Sequence, residues 1–294
     1  MAGHRQALQS ADLAHVIFRL SASNKVVTRP SKTVSAPHDS VMDDVYNEAL
    51  LKSFDIIERE DFYGIVAWRG LRFFGEAMQL GPNSHLLDLC SGIGGPARFL
   101  ARTYGCRVTG VHQTEFNHRT SCERARLEGL DHLTRFIHGD ALHVDLPDES
   151  FTHVFGCEAW CYFQEKQQIY GTAHRLLKPG GVIAFLESAC DIPLRLRTGE
   201  ILGPVWYESI ANYTSMLEAS GFEAVRHFDT TELAAKDIAT SMDRLIAKRG
   251  QILDTAGEEL YFALLEIWAE FTACFAEGKL SHCGFVAHKG PRFS

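Results

Sequence analysis

Short apolar runs alternate along the middle of the chain with longer stretches in which apolar residues recur every three or four positions. His85–Leu89, Arg107–Val111, Thr134–His138, Thr152–Gly156 and Gly181–Glu187 are runs of strand length. Pro96–Tyr104, the stretch that runs on to Arg126, and Lys166–Leu177 carry the helical period. This order predicts an α/β fold, a parallel sheet with helices on both faces. Such sheets bind ligands beyond the carboxyl ends of their strands. Glu223–Phe228 and His282–Ala287 add two strands, for a seven-stranded, mostly parallel sheet. Helices are expected at Tyr213–Ser220 and through residues 231–277.

Before this alternation the pattern differs. Residues 1–40 end in a stretch rich in Ser, Thr and Pro and read as a flexible N-terminal arm. In residues 41–80, Tyr46, Leu50, Leu51 and Phe54 recur at helical spacing, and Leu71, Phe74 and Met78 follow. That stretch reads as an N-terminal helical cap, closed by Gly81-Pro82-Asn83. Residues 81–294 form the expected core, with insertions around 189–213 and 231–277 that read as a helical lid.

Charge and composition narrow the function classes. The 294 residues carry a formal net charge of −8, which argues against a nucleic-acid partner and leaves a small molecule as substrate. The 8 cysteines are scattered, with only a lone C-x₃-C at Cys157 and Cys161, and read as reduced thiols of a cytoplasmic protein. The histidines show no paired ligand spacing, so no metal is expected. No apolar run approaches the roughly 20 residues of a membrane span, so stable membrane insertion is not expected. A homo-oligomer is left open.

The densest chemistry lies in Asp88-Leu89-Cys90-Ser91-Gly92-Ile93-Gly94-Gly95-Pro96. An acid ends a strand, glycines follow at once, and a helix begins near Pro96. Glycines let a backbone approach a ligand, and the N–H groups of a helix start point at the same place. The loop by itself fits two cofactors. Gly92-x-Gly94-x-x-Ala97 also matches the dinucleotide fingerprint of an NAD(P)-dependent oxidoreductase. That fingerprint expects an acid at the next strand end, where this chain has His112-Gln113.

Four ordered blocks carry a resemblance to the class I S-adenosylmethionine (SAM)-dependent methyltransferases of small molecules. They are Leu86–Ala97, Val108–Val111, Gly139-Asp140-Ala141 with Leu146–Phe151, and Leu176-Leu177-Lys178-Pro179-Gly180-Gly181. The resemblance implies a Rossmann-like fold, SAM as cofactor and S-adenosylhomocysteine as product. It implies that Asp88, Cys90, Ser91, Gly92, Gly94 and Cys157 bind the cofactor, with the backbone of Gly92 and Gly94 lining its methionine end. His112 and Gln113 would reach the ribose, and Asp140 and Ala141 would border the adenine. The family usually has an acid where this chain has His112.

Methyl transfer aligns a nucleophile with a sulfonium, so the acceptor belongs over the end of the fourth strand. That end reads Cys157-Glu158-Ala159-Trp160-Cys161-Tyr162-Phe163. Aromatic faces stabilise a cation, and a carboxylate can take a proton from it. Glu158 is the candidate base, with Tyr162 and Tyr63 as further catalytic candidates. Trp160, Phe163, Trp206 and Tyr207 are candidates for the substrate pocket. Glu158-Ala159-x-Cys161 resembles a segment of sterol C-methyltransferases, and a Glu here is similar to the base of prenyl-diphosphate C-methyltransferases. The overall plan resembles phosphoethanolamine and sarcosine/dimethylglycine N-methyltransferases, which carry His where this chain has Tyr162. The expected reaction is C-methylation of an alkene or isoprenoid-type acceptor, a prenyl diphosphate among them, with Arg69 and Arg72 as anion holders. N-methylation of a small amine is the alternative, and a non-catalytic binding protein of the same fold is a further rival.

Overall fold

The computed structural model describes residues 47–58, 68–194, 196 and 203–291. The arm at 1–40 and Tyr63 lie outside the described residues, as does part of the stretch 189–213.

The sheet follows the expected order. Its strands are β1 (His85–Leu89), β2 (Arg107–His112), β3 (Thr134–His138), β4 (Phe151–Cys157), β5 (Leu177–Ala189), β6 (Phe222–Asp229) and β7 (Ser281–Lys289). Spatially they run β3-β2-β1-β4-β5-β7-β6. The first five are mutually parallel, and β7 lies antiparallel between β5 and β6. The order reverses between β1 and β4, and a crevice opens beyond the carboxyl ends of strands at such a point. Because β7 is antiparallel, its first residues share that edge: Ser188 pairs with His282 and Glu187 with Cys283.

Eight helices are described: α1 (Glu48–Ile56), α2 (Trp68–Ala77), α3 (Gly95–Tyr104), α4 (Glu115–Leu127), α5 (Lys166–Leu176), α6 (Ile210–Ala219), α7 (Thr231–Ala247) and α8 (Arg249–Ala276). Their starts follow local chemistry. The side chains of Asn47, Thr114 and Ser209 accept the N–H of Leu50, Asn117 and Asn212, as capping residues do. Pro96 occupies the first turn of α3, where its missing N–H costs nothing.

Three apolar clusters set the layers. One covers one sheet face with Trp160, Tyr170, Phe185, Tyr213 and Phe285. A second covers the other face with Leu71, Phe74, Leu100, Phe136 and Phe155. The third is a helical layer of its own, in which Leu50, Phe54 and Ile57 pack with Ile238, Leu245, Tyr261, Leu265 and Trp268. The stretch 41–80 divides its helices between layers. α1 joins α7 and α8, and α2 joins the sheet because Phe74 occupies the space that a Cβ at Gly284 would need, its Cζ 1.5 Å from that position. α8 breaks at Gly257 (φ 81°, ψ 173°). The described residues 203–208 of the first insertion are not helical, and Glu208 bridges to Ala189.

Candidate active site

The cofactor half grows from β1. Asp88 is buried, and its Oδ2 has no hydrogen-bond partner among the described residues. Burial alone raises its carboxyl to about 7. Cys90 follows the strand at φ 70°, a left-handed conformation unfavourable for a residue with a Cβ. The loop is pinned from below. Ser91 N–H donates to Val111 O (2.9 Å), and Ser91 Oγ lies 3.0 Å from His112 Nδ1. This approach needs Gly110, where a Cβ would sit 2.6 Å from Ser91 Oγ. Arg98, buried in α3, donates to Ile93 O (2.6 Å) and Glu128 (3.0 Å). Gly94 caps α3 at φ 75° with no side chain over the helix start, so the first-turn N–H groups stay open to a ligand. An orphaned acidic oxygen, an open helix start and a backbone cradle suit a cofactor with an amino acid tail.

His112 is placed as a brace. It is buried, its Nδ1 faces Ser91 and its Nε2 lies 3.4 Å from Ser121 Oγ. Burial, with His118 and His138 nearby, lowers its imidazole to about 4, so it is neutral. Gln113 is exposed at the strand end, and its carbonyl oxygen lies 2.8 Å from His138 Nε2. Asp140 holds its own turn: Oδ1 accepts from Leu142 N–H (2.9 Å) and Oδ2 lies 2.7 Å from His143 Nδ1. Ala141 is buried beside it.

The acceptor half grows from β4. Cys157 ends the strand half-buried, and Glu158 follows at φ 51°, its N–H donating to Leu186 O (2.9 Å). The Glu158 side chain is 8% exposed, and its Oε1 lies 3.3 Å from Nε2 of the fully buried His282. Trp160 belongs to the core: its indole N–H donates to Leu89 O (3.1 Å) and its ring packs on Tyr170 and Phe185. Tyr162 is half-buried in the short 3₁₀ turn Trp160–Tyr162, and Phe163 packs against the same core. Trp206 N–H donates to Cys161 O (2.8 Å), and Tyr207 packs against the helical layer. Burial holds the Tyr207 phenol well above its usual range.

Sequence reasoning missed four side chains here. Glu187, buried in β5, accepts Cys161 N–H at Oε1 (2.9 Å), and its Oε2 has no hydrogen-bond partner among the described residues. Burial pushes its carboxyl to about 7; Lys166 opposes the shift and Glu158 adds to it. Lys166, buried at the start of α5, donates to Trp160 O (3.3 Å) and Phe163 O (3.0 Å), which ties down the 158–163 loop. Thr230 and His282 stand 2.7 Å apart beside Glu158. Polar residues inside otherwise apolar strands were the available signal, at Glu187 in Ala184-Phe185-Leu186-Glu187 and at His282 in His282-Cys283-Gly284-Phe285. Arg69, offered as an anion holder, lies 3.3 Å from the buried Asp237, and Arg72 is exposed. Among the described residues, no group of three acidic, His or Cys side chains is spaced to hold a metal, and no helix is long and apolar enough to cross a membrane.

Residues 87–185 match the family described as a methyltransferase domain, the span that holds nearly all of the four sequence blocks. The chain is 32% identical over 161 residues to sterol 24-C-methyltransferase of Eremothecium gossypii, covering 48% of this chain and 43% of that protein. It is 27% identical over 186 residues to glycine/sarcosine/dimethylglycine N-methyltransferase of Actinopolyspora halophila, covering 62% of this chain and 33% of that protein. The chain thus spans less than half the length of these two relatives. Its fold is similar to that of phosphoethanolamine N-methyltransferase 2 of Haemonchus contortus, with a TM-score of 0.77, 18% identity, and coverage of 86% of this chain and 59% of that one.

Proposed function

From a chain whose residues 87–185 form a SAM-dependent methyltransferase domain, we propose an enzyme that methylates carbon in a small, largely apolar alkene of isoprenoid type. The observation that carries this reading is Glu158, a carboxylate buried where the chain leaves β4 and held beside His282. Bound SAM supplies an electrophilic methyl group on a sulfonium. Asp88, Ser91, Gly92 and Gly94 hold its amino acid end, Gln113 meets the ribose, and Asp140 with Ala141 borders the adenine. His112 supports the loop from beneath.

An alkene that takes up a methyl group becomes a carbocation, and a proton on the neighbouring carbon must then leave. Glu158 accepts that proton, and the aromatic rings of Tyr162, Phe163, Trp206 and Tyr207 stabilise the cation before it goes. An acceptor without a diphosphate fits these residues better, because Arg69 is already engaged by Asp237. The likeness to a sterol C-methyltransferase over the central domain supports the same reading.

A second reading has its own support. Two buried acids, Glu158 and Glu187, lie close enough for Glu158 to raise the Glu187 carboxyl, and with the aromatic rings they also suit a small amine approaching a quaternary ammonium. Incubation with methyl-labelled SAM and a panel of acceptors decides between them: a sterol with a side-chain alkene, geranyl diphosphate, a phenol and sarcosine. Label is expected in the sterol. Label in sarcosine alone would replace carbon by nitrogen, and label in geranyl diphosphate alone would restore the diphosphate.

A further inference from the structure

The partner of Glu158 comes from the far end of the chain. His282 opens β7 and is fully buried. Its Nε2 stands 3.3 Å from Glu158 Oε1, yet the contact is not aligned as a hydrogen bond, and among the described residues Nε2 has no other. Its Nδ1 stands 2.7 Å from Thr230 Oγ1. Thr230 precedes α7, where a threonine hydroxyl ordinarily accepts an N–H of the first helical turn. Here it caps nothing, and its hydroxyl serves the histidine instead.

We propose that Thr230 and His282 form a positioning relay that orients Glu158, and that the relay holds only while the first turn of α7 is docked on β7. The inference rests on the reading of Glu158 as base and deepens it. A Thr230 hydroxyl that donates to Nδ1 leaves the ring proton on Nε2, facing the carboxylate, since a neutral imidazole carries a single N–H. The same turn is fastened to the same strand residue through the backbone. Thr230 N–H donates to His282 O (2.8 Å), and His282 N–H donates to Thr231 Oγ1 (2.9 Å). When α7 lifts, Nδ1 loses Thr230, the proton is free to occupy either nitrogen, and Glu158 loses its oriented neighbour. The left-handed backbone at Glu158 (φ 51°) is unfavourable in itself and depends on such external holding.

Other ionisable groups surround the pair. Glu158 acts electrostatically on Glu187 of β5, on the Cys161 thiol and on the Tyr207 phenol. Asp229, at the end of β6, is acted on electrostatically by His282 and accepts Thr231 N–H (2.8 Å). None of these contacts Nδ1. The Glu158 carboxylate can only accept, so at Nε2 it and the Thr230 hydroxyl at Nδ1 together favour the Nε2–H tautomer.

The test reads the tautomer directly. The full chain labelled with ¹⁵N-histidine is bound to S-adenosylhomocysteine, and His282 is assigned by loss of its signals in His282→Gln. The expected spectrum shows His282 as the Nε2–H tautomer. Glu158→Gln shifts its Nε2 resonance, Thr230→Val converts it to a mixture of tautomers, and Thr230→Ser preserves it. Should Thr230→Val fail to fold, the parent chain, Thr230→Ser and Glu158→Gln carry the decision. A His282 in the Nδ1–H form, or one indifferent to Glu158→Gln, overturns the relay. Turnover of Glu158→Gln is a separate measurement: normal turnover removes Glu158 as base and leaves the tautomer result standing.

Discussion

The loops after β1 and β4 leave adjacent strands at one edge of the sheet, and each begins with a non-glycine residue in the left-handed region, Cys90 (φ 70°) and Glu158 (φ 51°). They are held by different means. The β1 loop is held by neutral groups of β2 and α4: Ser91 on Val111 and His112, and His112 on Ser121. Arg98 is the one charged group described in that support, and its donors are taken by a carbonyl and a carboxylate. The β4 loop is held by buried ionisable groups: Lys166, a few residues downstream, and Glu187 and His282 from neighbouring strands. A cofactor of constant shape needs a rigid backbone cradle. A passing cation needs charge in a place of low dielectric, where charge acts strongly and is costly to keep.

The largest expected effect breaks the β4 side alone. Glu158→Gln removes the proposed base and should lower turnover about 10²–10⁴-fold. SAM affinity, measured by calorimetry, should stay within about twofold, because no contact to the amino acid end, ribose or adenine is touched and the lost energy is confined to the transition state. A parallel loss of affinity would show that the two loops are one unit.

Acidity should reach both loops. Asp88 and Glu187 each have a folded carboxyl raised to about 7 by burial, above their unfolded values. Between about pH 4 and 7 the folded chain then binds more protons than the unfolded one, so stability falls as pH rises through that window and levels above it. Urea midpoints across that range should trace this slope in the cofactor-free protein. Asp88→Asn or Glu187→Gln should each flatten it, and the size of each share tells which loop bears more of the cost.

A smaller change should follow from Glu187→Ala. It leaves the buried Lys166 without the nearby carboxylate and Cys161 N–H without its acceptor, and chemical denaturation should register a loss of about 3–5 kcal/mol. The smallest effect belongs to the β1 side. A Cβ at Gly94 would lie 2.6 Å from Phe136 Cζ on a backbone at φ 75°. Gly94→Ala should cost about 1–3 kcal/mol by overpacking. It should also weaken SAM binding, the reverse of the Glu158→Gln pattern.

The two loops were unequally legible. Asp88, Gly92 and Gly94 stand within one short segment whose chemistry is local, so their grouping could be read directly. His112 stood out as a departure from the expected acid, and its reason became visible only when Ser91 and Ser121 closed on its two nitrogens. Glu158 was legible because it leads a strand end, but nothing in the residues around it pointed to His282 or Thr230. Trp160 looks the same in sequence whether it lines a pocket or fills a core; packing on Tyr170 and Phe185 decided for the core.

By itself, the sequence determined the strand and helix periods, the βαβ order, the glycine loop and the acid at the end of β4. These depend on residues close together along the chain, where spacing fixes which side chains share a face. The tertiary structure alone decided that α1 joins α7 and α8 in one layer, and that β7 inserts antiparallel beside β5. It thereby brought His282 and Thr230 to Glu158. Strand pairing and helix docking join segments that no local spacing relates, and the energy that selects them comes from burying surfaces that meet only in the folded chain.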